Sequence, residues 1–544
     1  MDNGSSWTSW GASQPDLTRS GRSLLKAALG PLSPQEPVPI ERATVPASKL
    51  PAPVKAELVI ALGPDGVADD DPARARHAGG QAYADLVRRR RGDASDAPDA
   101  VLLPPHTAAI ADVLRICSAH RVAIVPWGGG TSVVGGLSSI RGDFDSVVAL
   151  DLTRLDRMIS VDTVSHTATF EPGIRTPDAE AALAEYGLTL GHVPQSFERA
   201  SLGGYVVTRS AGQASSGRGR IDDMLVGCRL LTPRGELDLP AMPGSAAGPD
   251  LRRLVLGSEG TLGIVTEVTL RVQSLPETKR YEGWTARSWE DGVRIMRRLA
   301  QDGPKPDIVR LSDAEETKIS LALSATAGWK RRGLDQWLRL HHVRDGCLVI
   351  VGFEGAARDV RYRRREVRRL LRAEHAVPLG ASAGNSWAHH RFTAPYLRDT
   401  MLDAGVLAET LETATVWSRL PELYEAVRTA LTDSLRHNDK LPLVGCHVSH
   451  VYPTGASLYF TVLAHAEPGR KVEQWMAAKH AANDALVGAG GTVSHHHAVG
   501  TAHREYVKAD LGGEGGVGVE ALRAMKTYLD PAGILNPGKL LPEP

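Results

Sequence analysis

Three adjacent histidines, His495, His496 and His497, are residues well suited to proton transfer. Their unperturbed pKa of about 6.5 lets imidazoles give or take a proton near neutral pH. The run lies inside the chain, between a Gly-rich turn and an expected helix, unlike a terminal tag. A metal triad is disfavoured because adjacent side chains of an extended segment point to opposite faces. We expect catalysis, with one ring acting while another orients it or binds an oxyanion, and we predict no metal.

A Gly-rich segment from Trp127 to Gly136 is the candidate for binding a diphosphate. Consecutive glycines allow positive φ angles and a close approach of backbone N–H groups to an anion. Thr131 and Ser132 add hydroxyl donors. The spacing is neither G-x-G-x-x-G nor G-x-x-x-x-G-K-[ST], which argues against the Rossmann and P-loop sites. Taken alone, the segment is also typical of a flexible turn.

Alternating helices and strands must position these residues. Apolar runs predict strands at 122–125 and 147–150 on either side of the glycines, and another at 167–170. Thr107 is a plausible N-cap of a helix, and a second helix starts at Thr176. After a strand-rich stretch at 263–272, longer charged helices such as 357–374 predominate. The sequence therefore predicts an α+β fold with a domain boundary near 276.

Three further segments support a functional interpretation of the glycines: 194–196, 201–212 and 257–265. Together with 126–136 they resemble the FAD domain of the vanillyl-alcohol-oxidase, or PCMH-type, flavoenzymes. Residues 529–539 resemble the return of that family's C-terminus to this domain. The resemblance implies a cofactor-binding set made of Pro126, Trp127, Gly128, Gly129, Gly130, Thr131, Ser132, Pro194, Gln195, Ser196, Ser201, Gly203, Gly204, Val207, Thr208, Arg209, Ser210, Glu259, Gly260, Thr261, Leu262, Gly263, Ile264 and Val265.

The implied architecture is a PCMH-type FAD-binding fold of two subdomains, an α+β cap and a C-terminal helical return. The corresponding segments are a helical N-terminus with a Pro-rich strap at 1–95, the FAD domain at 96–276, the cap at 277–500 and the return at 501–544. Some family members bond the flavin to a histidine in or near the loop. The loop here has neither His nor Cys, so we expect non-covalent FAD.

The cap segments at 395–399, 412–420, 452–460 and 494–500 resemble the alkyl-dihydroxyacetonephosphate synthase family, and 7–11 and 306–313 match it more loosely. This resemblance implies that Tyr452 exchanges a proton, that Arg398 meets a substrate phosphate and that Arg310 positions the substrate. The alternatives are a half-buried aromatic for Tyr452 and a helix-surface pair with Asp399 or Asp403 for Arg398. A purely structural role for Arg310 also stays open.

The family implies a redox-neutral exchange in which acyl-dihydroxyacetone phosphate loses its fatty acid and accepts a long-chain alcohol, with flavin as an electron sink. The expected partner is a lipid-like phosphorylated small molecule. Peripheral membrane contact would be natural, and dimerisation is left open. The basic segment 328–340, punctuated by Trp and Leu, fits either a lipid surface or a partly buried helix.

The competing activity is hydride transfer from a 2-hydroxy acid to flavin on the same scaffold. Such dehydrogenases resemble G-H-x-G-D-G-N-L-H followed by G-E-H-G, whose two histidines and glutamate suit a divalent metal. Here His450 remains, but Tyr459 and His496 replace the other two ligands. Ala498 also departs from the synthase pattern, which leaves the substrate open. A flavin-binding scaffold without turnover is a third, weaker interpretation.

The composition excludes some partners. Lys plus Arg equals Asp plus Glu at 63 each, so no global field favours nucleic acid. Four separated cysteines suggest buried thiols in a reducing compartment. The absence of a signal-like start and of a long apolar run predicts a cytoplasmic protein. The four arginines at 88–91 are interpreted as a solvated helix face, with a docking patch as the alternative.

Overall fold

The computed structural model describes residues 7–11, 14–323 and 345–542. The basic segment 328–340 lies outside the described residues. The chain divides into two compact units, which we name after their sheets. The seven-stranded unit comprises residues 1–36, 213–218 and 276–495, and the three-sheet unit comprises 37–212, 219–275 and 496–544. The four segments proposed from the sequence stay a prediction.

The three-sheet unit contains a four-stranded, a five-stranded and a two-stranded sheet among its described residues. The first has the order β1-β2-β4-β3, and β2 and β3 both run parallel to β4. The second, β5-β6-β10-β8-β9, is antiparallel, and β7 pairs with β11. The strands are β1 Val67–Ala68, β2 Ala100–Leu102, β3 Val122–Trp127, β4 Ser146–Asp151, β5 Met158–Asp162, β6 Thr167–Phe170, β7 Leu188–Thr189, β8 Leu225–Thr232, β9 Gly235–Leu239, β10 Ile264–Arg271 and β11 Gln273–Ser274.

The strands β3 and β4 are nearly continuous apolar runs because parallel strands in this position are covered on both faces. Ile124 and Val148 are fully buried together with Ile110 and Val113 of a neighbouring helix. That helix begins at Thr107, but its N-cap is His106, whose ring accepts from the N–H of Ala109 at 3.3 Å. The predicted N-cap at Thr107 is therefore off by one residue.

Ten α-helices accompany the sheets in the described part of this unit: Ala52–Leu62, Asp71–Arg76, Tyr83–Arg90, Thr107–Ala119, Thr176–Ala184, Leu202–Thr208, Ile221–Met224, Arg252–Val255, Val507–Asp510 and Val517–Leu529. The Pro-rich segment is extended over much of its length, with a short 3-10 turn at Ile40–Arg42. Its last prolines enter the first turn of Ala52–Leu62, where proline is tolerated.

The interpretation of the four consecutive arginines as a solvated face is wrong for two of them. Arg89 and Arg90 are only 5% and 6% exposed. Arg89 donates to the carbonyl of Gly80, and the adjacent Gln81 donates its N–H to the carbonyl of Ser132 at 2.6 Å. The arginine-bearing helix therefore supports a segment that packs on the Gly-rich loop.

The seven-stranded unit is built on one antiparallel sheet of order β15-β12-β14-β13-β17-β18-β16. Its two longest strands pair along their full length, from Val406 opposite His465 to Val416 opposite Gly455. The strands are β12 Thr278–Ala286, β13 Ile308–Ser312, β14 Cys347–Gly355, β15 Val377–Leu379, β16 Val406–Val416, β17 Leu443–Val448 and β18 Gly455–His465.

The described helices of this unit are Arg19–Leu29, Ser215–Arg218, Trp289–Gln301, Ala314–Leu323, Ala357–Ala373, Gly380–His390, Ala394–Asp403, Leu420–Ser434 and Lys471–Gly488. No helix in the described ranges is both long and apolar enough to cross a bilayer. The four cysteines of the chain are buried and free, as expected from their spacing.

Candidate active site

The Gly-rich loop follows β3 directly and accepts only glycine at its centre. A Cβ on Gly129 would lie 2.1 Å from the carbonyl oxygen of Arg199, and one on Gly128 would lie 2.3 Å from Oγ of Ser201. Gly130 has a φ of 69°, which L-residues rarely adopt. The fold thus brings the predicted segments at 126–132 and 201–204 into van der Waals contact.

The segment 201–210 forms the short helix Leu202–Thr208. Ser201 caps it by accepting from the N–H of Gly204 at 3.3 Å, and Thr208 donates to the carbonyl of Gly204 at 2.8 Å. Arg209 ends the helix in a left-handed conformation and binds Asp222 through Nε at 2.7 Å. These polar side chains therefore shape the backbone of the segment.

The segment 257–265 contributes mainly backbone as well. The side chains of Thr261, Leu262, Ile264 and Val265 are buried, so they pack inside the unit. At 194–196 the chain makes a tight turn in which Phe197 N–H donates to the carbonyl of Pro194 at 3.2 Å.

Glu259 lies within this segment but uses its carboxylate on another part of the chain. It accepts from the N–H groups of Val499 at 2.8 Å and Gly500 at 2.9 Å. Its carbonyl accepts from the side chain of Asn536 at 2.7 Å. Burial raises the pKa of Glu259 to about 7, against the opposing effect of the two N–H donors. Glu259 therefore fastens the C-terminal segment, which the sequence prediction as a cofactor contact did not anticipate.

These features fit a dinucleotide such as FAD. Residues 126–133 are only partly buried, so a ligand can reach their backbone. Among the described residues, Oγ of Ser258 and Nδ1 of His192 are buried without a hydrogen-bond partner. Native proteins rarely leave such atoms unsatisfied, and a polar ligand would complete them. The N–H groups of Gly128 to Gly130 are the natural donors to a diphosphate.

A cluster of polar side chains occupies the seven-stranded unit at the turn between β17 and β18. The hydroxyl of Tyr452 lies 2.6 Å from Nε2 of His495, and the rings of His495 and His450 stack with centroids 5.0 Å apart. Nδ1 of His450 lies 2.6 Å from Oγ of Ser215. His450 and His495 are buried, at 4% and 7% exposure, whereas Tyr452 is partly exposed. A phenol and an imidazole at this distance can exchange a proton.

Glu412 on β16 fixes the backbone beside this cluster. One carboxylate oxygen accepts from the N–H of His495 at 2.7 Å, and the other accepts from Oγ of Ser494 at 2.7 Å. Burial lowers the pKa of Lys479, while Glu409 and Glu412 act in the opposite direction. Sequence reasoning missed the roles of Glu412, Ser215 and Lys479, because their partners are far away along the chain.

His496 and His497 belong to the three-sheet unit, since the division between the units falls after His495. Their rings are 4.6 Å apart in an edge-on arrangement, and both are partly buried. The backbone two residues further on, at Val499 and Gly500, is the part that Glu259 binds. The division therefore assigns His495 to one unit and His496 and His497 to the other, and their catalytic role stays a prediction.

The two predicted substrate arginines differ in their surroundings. Arg398, on the helix Ala394–Asp403, is partly buried, and its charge moderates the effect of burial that raises the pKa of Tyr459 to about 12. Its neighbour Asp399 is fully buried and accepts from the N–H of Trp10 at 2.5 Å. The alternative of a helix-surface ion pair between Arg398 and Asp399 is therefore not supported, because Asp399 does not lie at the surface.

Arg310 on β13 lies in an ionic cluster of the sheet. Its Nη2 is 3.2 Å from Oε1 of Glu316 and 3.0 Å from Nδ1 of His447. Burial would raise the pKa of Glu316, but the electrostatic effects of its neighbours His447 and Arg310 lower it to about 2. Arg310 therefore keeps a buried carboxylate ionised, whatever it does toward a substrate.

Two family profiles match the chain. The profile of the FAD binding domain matches residues 98–238, and that of the C-terminal domain of FAD linked oxidases matches residues 275–540. The alkyldihydroxyacetonephosphate synthase of Trypanosoma brucei brucei is 34% identical over 498 residues, which cover 90% of this chain and 80% of the relative. That of Dictyostelium discoideum is 32% identical and covers 88% and 79%. A glycolate oxidase subunit of Bacillus subtilis is 28% identical and covers 81% and 89%.

Solved structures give the same result for the fold. An alkyldihydroxyacetonephosphate synthase superposes with a TM-score of 0.84 over 98% of both chains, at 28% identity. A p-cresol methylhydroxylase shares the fold, with a TM-score of 0.67 and 16% identity over 90% of this chain and 96% of that one. The predicted α+β, PCMH-type fold and the prediction of FAD as cofactor are confirmed.

Proposed function

The chain belongs to the alkyldihydroxyacetonephosphate synthase family, and from this premise we propose that it exchanges the acyl group of acyl-dihydroxyacetone phosphate for a long-chain alcohol. The observation that carries the proposal is the hydrogen bond of 2.6 Å between Tyr452 and His495. This contact within the seven-stranded unit supports an acid/base role for both residues, which the family resemblance had singled out.

The exchange breaks the bond between C1 of the substrate and the ester oxygen, and it forms a bond between C1 and the alcohol oxygen. The acyl group leaves as a carboxylate, the alcohol loses a proton, and no electrons are gained or lost overall. Bound FAD would supply the electron-accepting ring that makes C1 exchangeable. Tyr452 and His495 hold and return the proton of C1 and accept the proton of the entering alcohol.

The remaining site residues take supporting roles in this proposal. Arg398 binds the substrate phosphate through its planar guanidinium, and Arg310 positions the substrate. His496 and His497 orient the acting ring or bind an oxyanion. The loop residues Gly128 to Ser132 hold FAD without a covalent bond, because the loop offers no His or Cys.

The proposed substrates are a lipid with a phosphate head and a long-chain alcohol, so the enzyme has to draw them from a membrane or a carrier. We place it at the membrane surface as a peripheral protein, which flotation with vesicles would test. Sedimentation of the flavin-loaded protein tests whether the chain forms a homodimer, which the sequence left open.

The direct test is anaerobic incubation of the flavin-loaded protein with palmitoyl-dihydroxyacetone phosphate and hexadecanol. The proposal predicts release of palmitate together with an ether-linked product in equal amounts, and oxidised flavin at the end. The absence of palmitate release from a sample with full flavin content would contradict it.

A second incubation with glycolate or D-lactate separates the competing activity. Lasting bleaching of the flavin by a hydroxy acid, without any ether product from the first incubation, would identify a dehydrogenase instead.

A further inference from the structure

Arg391 lies on the turn between the helices Gly380–His390 and Ala394–Asp403 of the seven-stranded unit. Its guanidinium carbon is 4.7 Å from the ring centroid of Phe392, 5.5 Å from that of Trp387 and 5.9 Å from that of Tyr281. Three aromatic rings thus surround one cationic side chain. Such rings leave the donors at the edge of the guanidinium to bind a planar anion.

Two of the three guanidinium nitrogens of Arg391 lack an acceptor among the described residues. Nε and Nη1 are both buried and have no hydrogen-bond partner among the residues that the structure describes. Burying a cationic donor without an acceptor costs more free energy than burying a neutral donor without one. The side chain as a whole is partly exposed, but Nε and Nη1 are themselves shielded from solvent, so an anion has to displace neighbouring side-chain atoms to bind them.

The acid beside Tyr281 is already bound by other donors. Glu354 on β14 accepts from Nη2 of Arg218 at 2.9 Å and from the hydroxyl of Tyr281 at 2.6 Å. Lys279 adds a further positive charge 3.8 Å from the same carboxylate. Cations therefore outnumber acids around Tyr281, which favours an external anion beside Arg391.

A short segment connects this arginine to the acid/base cluster. Nε2 of Gln213 donates to the carbonyl of Arg391 at 3.4 Å, and two residues later Ser215 contacts His450 at 2.6 Å. Two residues span at most about 7 Å of chain. The backbone of Arg391 and the ring of His450 are thus linked through the segment 213–215 within one unit.

We propose that Arg391, with Tyr281, Trp387 and Phe392, forms an oxyanion subsite that binds the carboxylate of the fatty acid set free in the exchange. The guanidinium binds the two carboxylate oxygens, and the rings cover the first methylenes of the acyl chain. The identity of the ligand rests on the proposed function. A phosphate monoester is the other source of an oxyanion, and it carries no such apolar chain.

The test is calorimetric titration of the flavin-loaded protein with decanoate, decanol and glycerol 3-phosphate, in the wild type, Arg391→Gln and Arg391→Lys. We expect decanoate to bind about tenfold or more weakly to Arg391→Gln, because a charge-assisted contact is lost. Arg391→Lys should recover part of the affinity. Decanol, which has the chain without the charge, and glycerol 3-phosphate should bind alike to all three proteins.

The matched control is Arg361→Gln, at an exposed arginine of the helix Ala357–Ala373. Flavin content and melting temperature show whether each variant is folded, and Arg391→Lys decides the question if Arg391→Gln is not. Decanoate affinity that is absent from the wild type, or equal in wild type and Arg391 variants, would overturn the subsite. Weakened binding of glycerol 3-phosphate alone would overturn the fatty-acid assignment in favour of phosphate.

These titrations involve no turnover, so they separate the subsite from the reaction. Decanoate binding that depends on Arg391 in a protein without exchange activity would refute the proposed function and leave the subsite standing. Exchange activity combined with decanoate binding that does not depend on Arg391 would refute the subsite and leave the proposed function standing.

Discussion

The two units of the molecule build their candidate sites from different groups, backbone in one and side chains in the other. In the three-sheet unit the candidate cofactor site consists of backbone, shaped by glycines such as Gly129 that cannot carry a Cβ. In the seven-stranded unit the candidate reaction site consists of side chains, held by hydrogen bonds such as those that Glu412 accepts from Ser494 and His495. Binding of FAD and exchange chemistry should therefore respond to different substitutions.

The largest effect on FAD binding is expected from Gly129→Ala. The added Cβ would lie 2.1 Å from the carbonyl oxygen of Arg199, so the loop must shift and its N–H groups leave their positions. Losing two charge-assisted hydrogen bonds predicts FAD binding that is weaker by about a hundredfold or more, as measured by fluorescence titration of the apoprotein. The control is Gly244→Ala, where a Cβ meets nothing within 4 Å. Equal FAD affinities of Gly129→Ala and Gly244→Ala would contradict the interpretation that the loop backbone binds FAD.

Glu412→Gln should affect the other unit. The amide keeps the size of the side chain, but it weakens the contacts that fix Ser494 and His495. We expect kcat to fall about tenfold to a hundredfold, because small displacements of a catalytic group have effects of this size, while FAD affinity stays unchanged. Glu412→Asp tests rescue by the charge, and Glu425→Gln is a control at an exposed position of the helix Leu420–Ser434. A parallel loss of FAD would show that Glu412 has a general structural role.

Glu259 predicts a pH dependence of stability. Its pKa is raised from an ordinary value of 4.5 to about 7, so the folded protein binds this proton more tightly than the unfolded chain does. The stabilising contribution is complete below about pH 4.5 and is lost as the pH rises through about 7, which amounts to about 3 kcal/mol. Glu259→Gln should remove this decline between pH 5 and 7, as followed by chemical denaturation.

The group facing Glu259 acts in the opposite sense at higher pH. Burial lowers the pKa of Lys539 to about 7, so its contribution to stability grows between pH 7 and its ordinary value of 10.5. The stabilities of Glu259→Gln and the wild type should therefore be compared on the acid side of pH 7. Identical pH profiles in the two proteins would contradict the assignment.

The smallest effect is expected from Arg398→Lys, which keeps the charge and loses the planar fork. We predict a KM for the phosphorylated substrate that is about tenfold higher, with little change in kcat. Arg372→Lys, at an exposed position of the helix Ala357–Ala373, is the control. Unchanged kinetics would return Arg398 to a structural role.

The same contrast explains what the sequence could predict. The cofactor loop was recognisable because backbone requirements are local: Gly128 to Gly130 stand between two apolar strands in a run of eleven residues from 126 to 136. The family resemblance likewise pointed to Tyr452 and His495.

The contacts that support the site could not be predicted, because the residues that form them are remote in sequence. Glu412 binds His495 across 83 residues, and Ser215 contacts His450 across 235. The burial of Arg89 and Arg90 was also missed, since a run of like charges normally faces solvent. No periodicity or spacing reports such pairings, which depend on the completed fold.

The most direct test of the account is a paired measurement on Tyr452→Phe. This substitution removes one hydroxyl, and with it the hydrogen bond to Nε2 of His495, from a site that lies in the seven-stranded unit. FAD affinity and the rate of palmitate exchange are measured on the same preparation. The account predicts wild-type FAD affinity with exchange slowed by about 10² to 10⁴. Exchange at the wild-type rate, or a loss of activity that merely follows a loss of FAD, would contradict it.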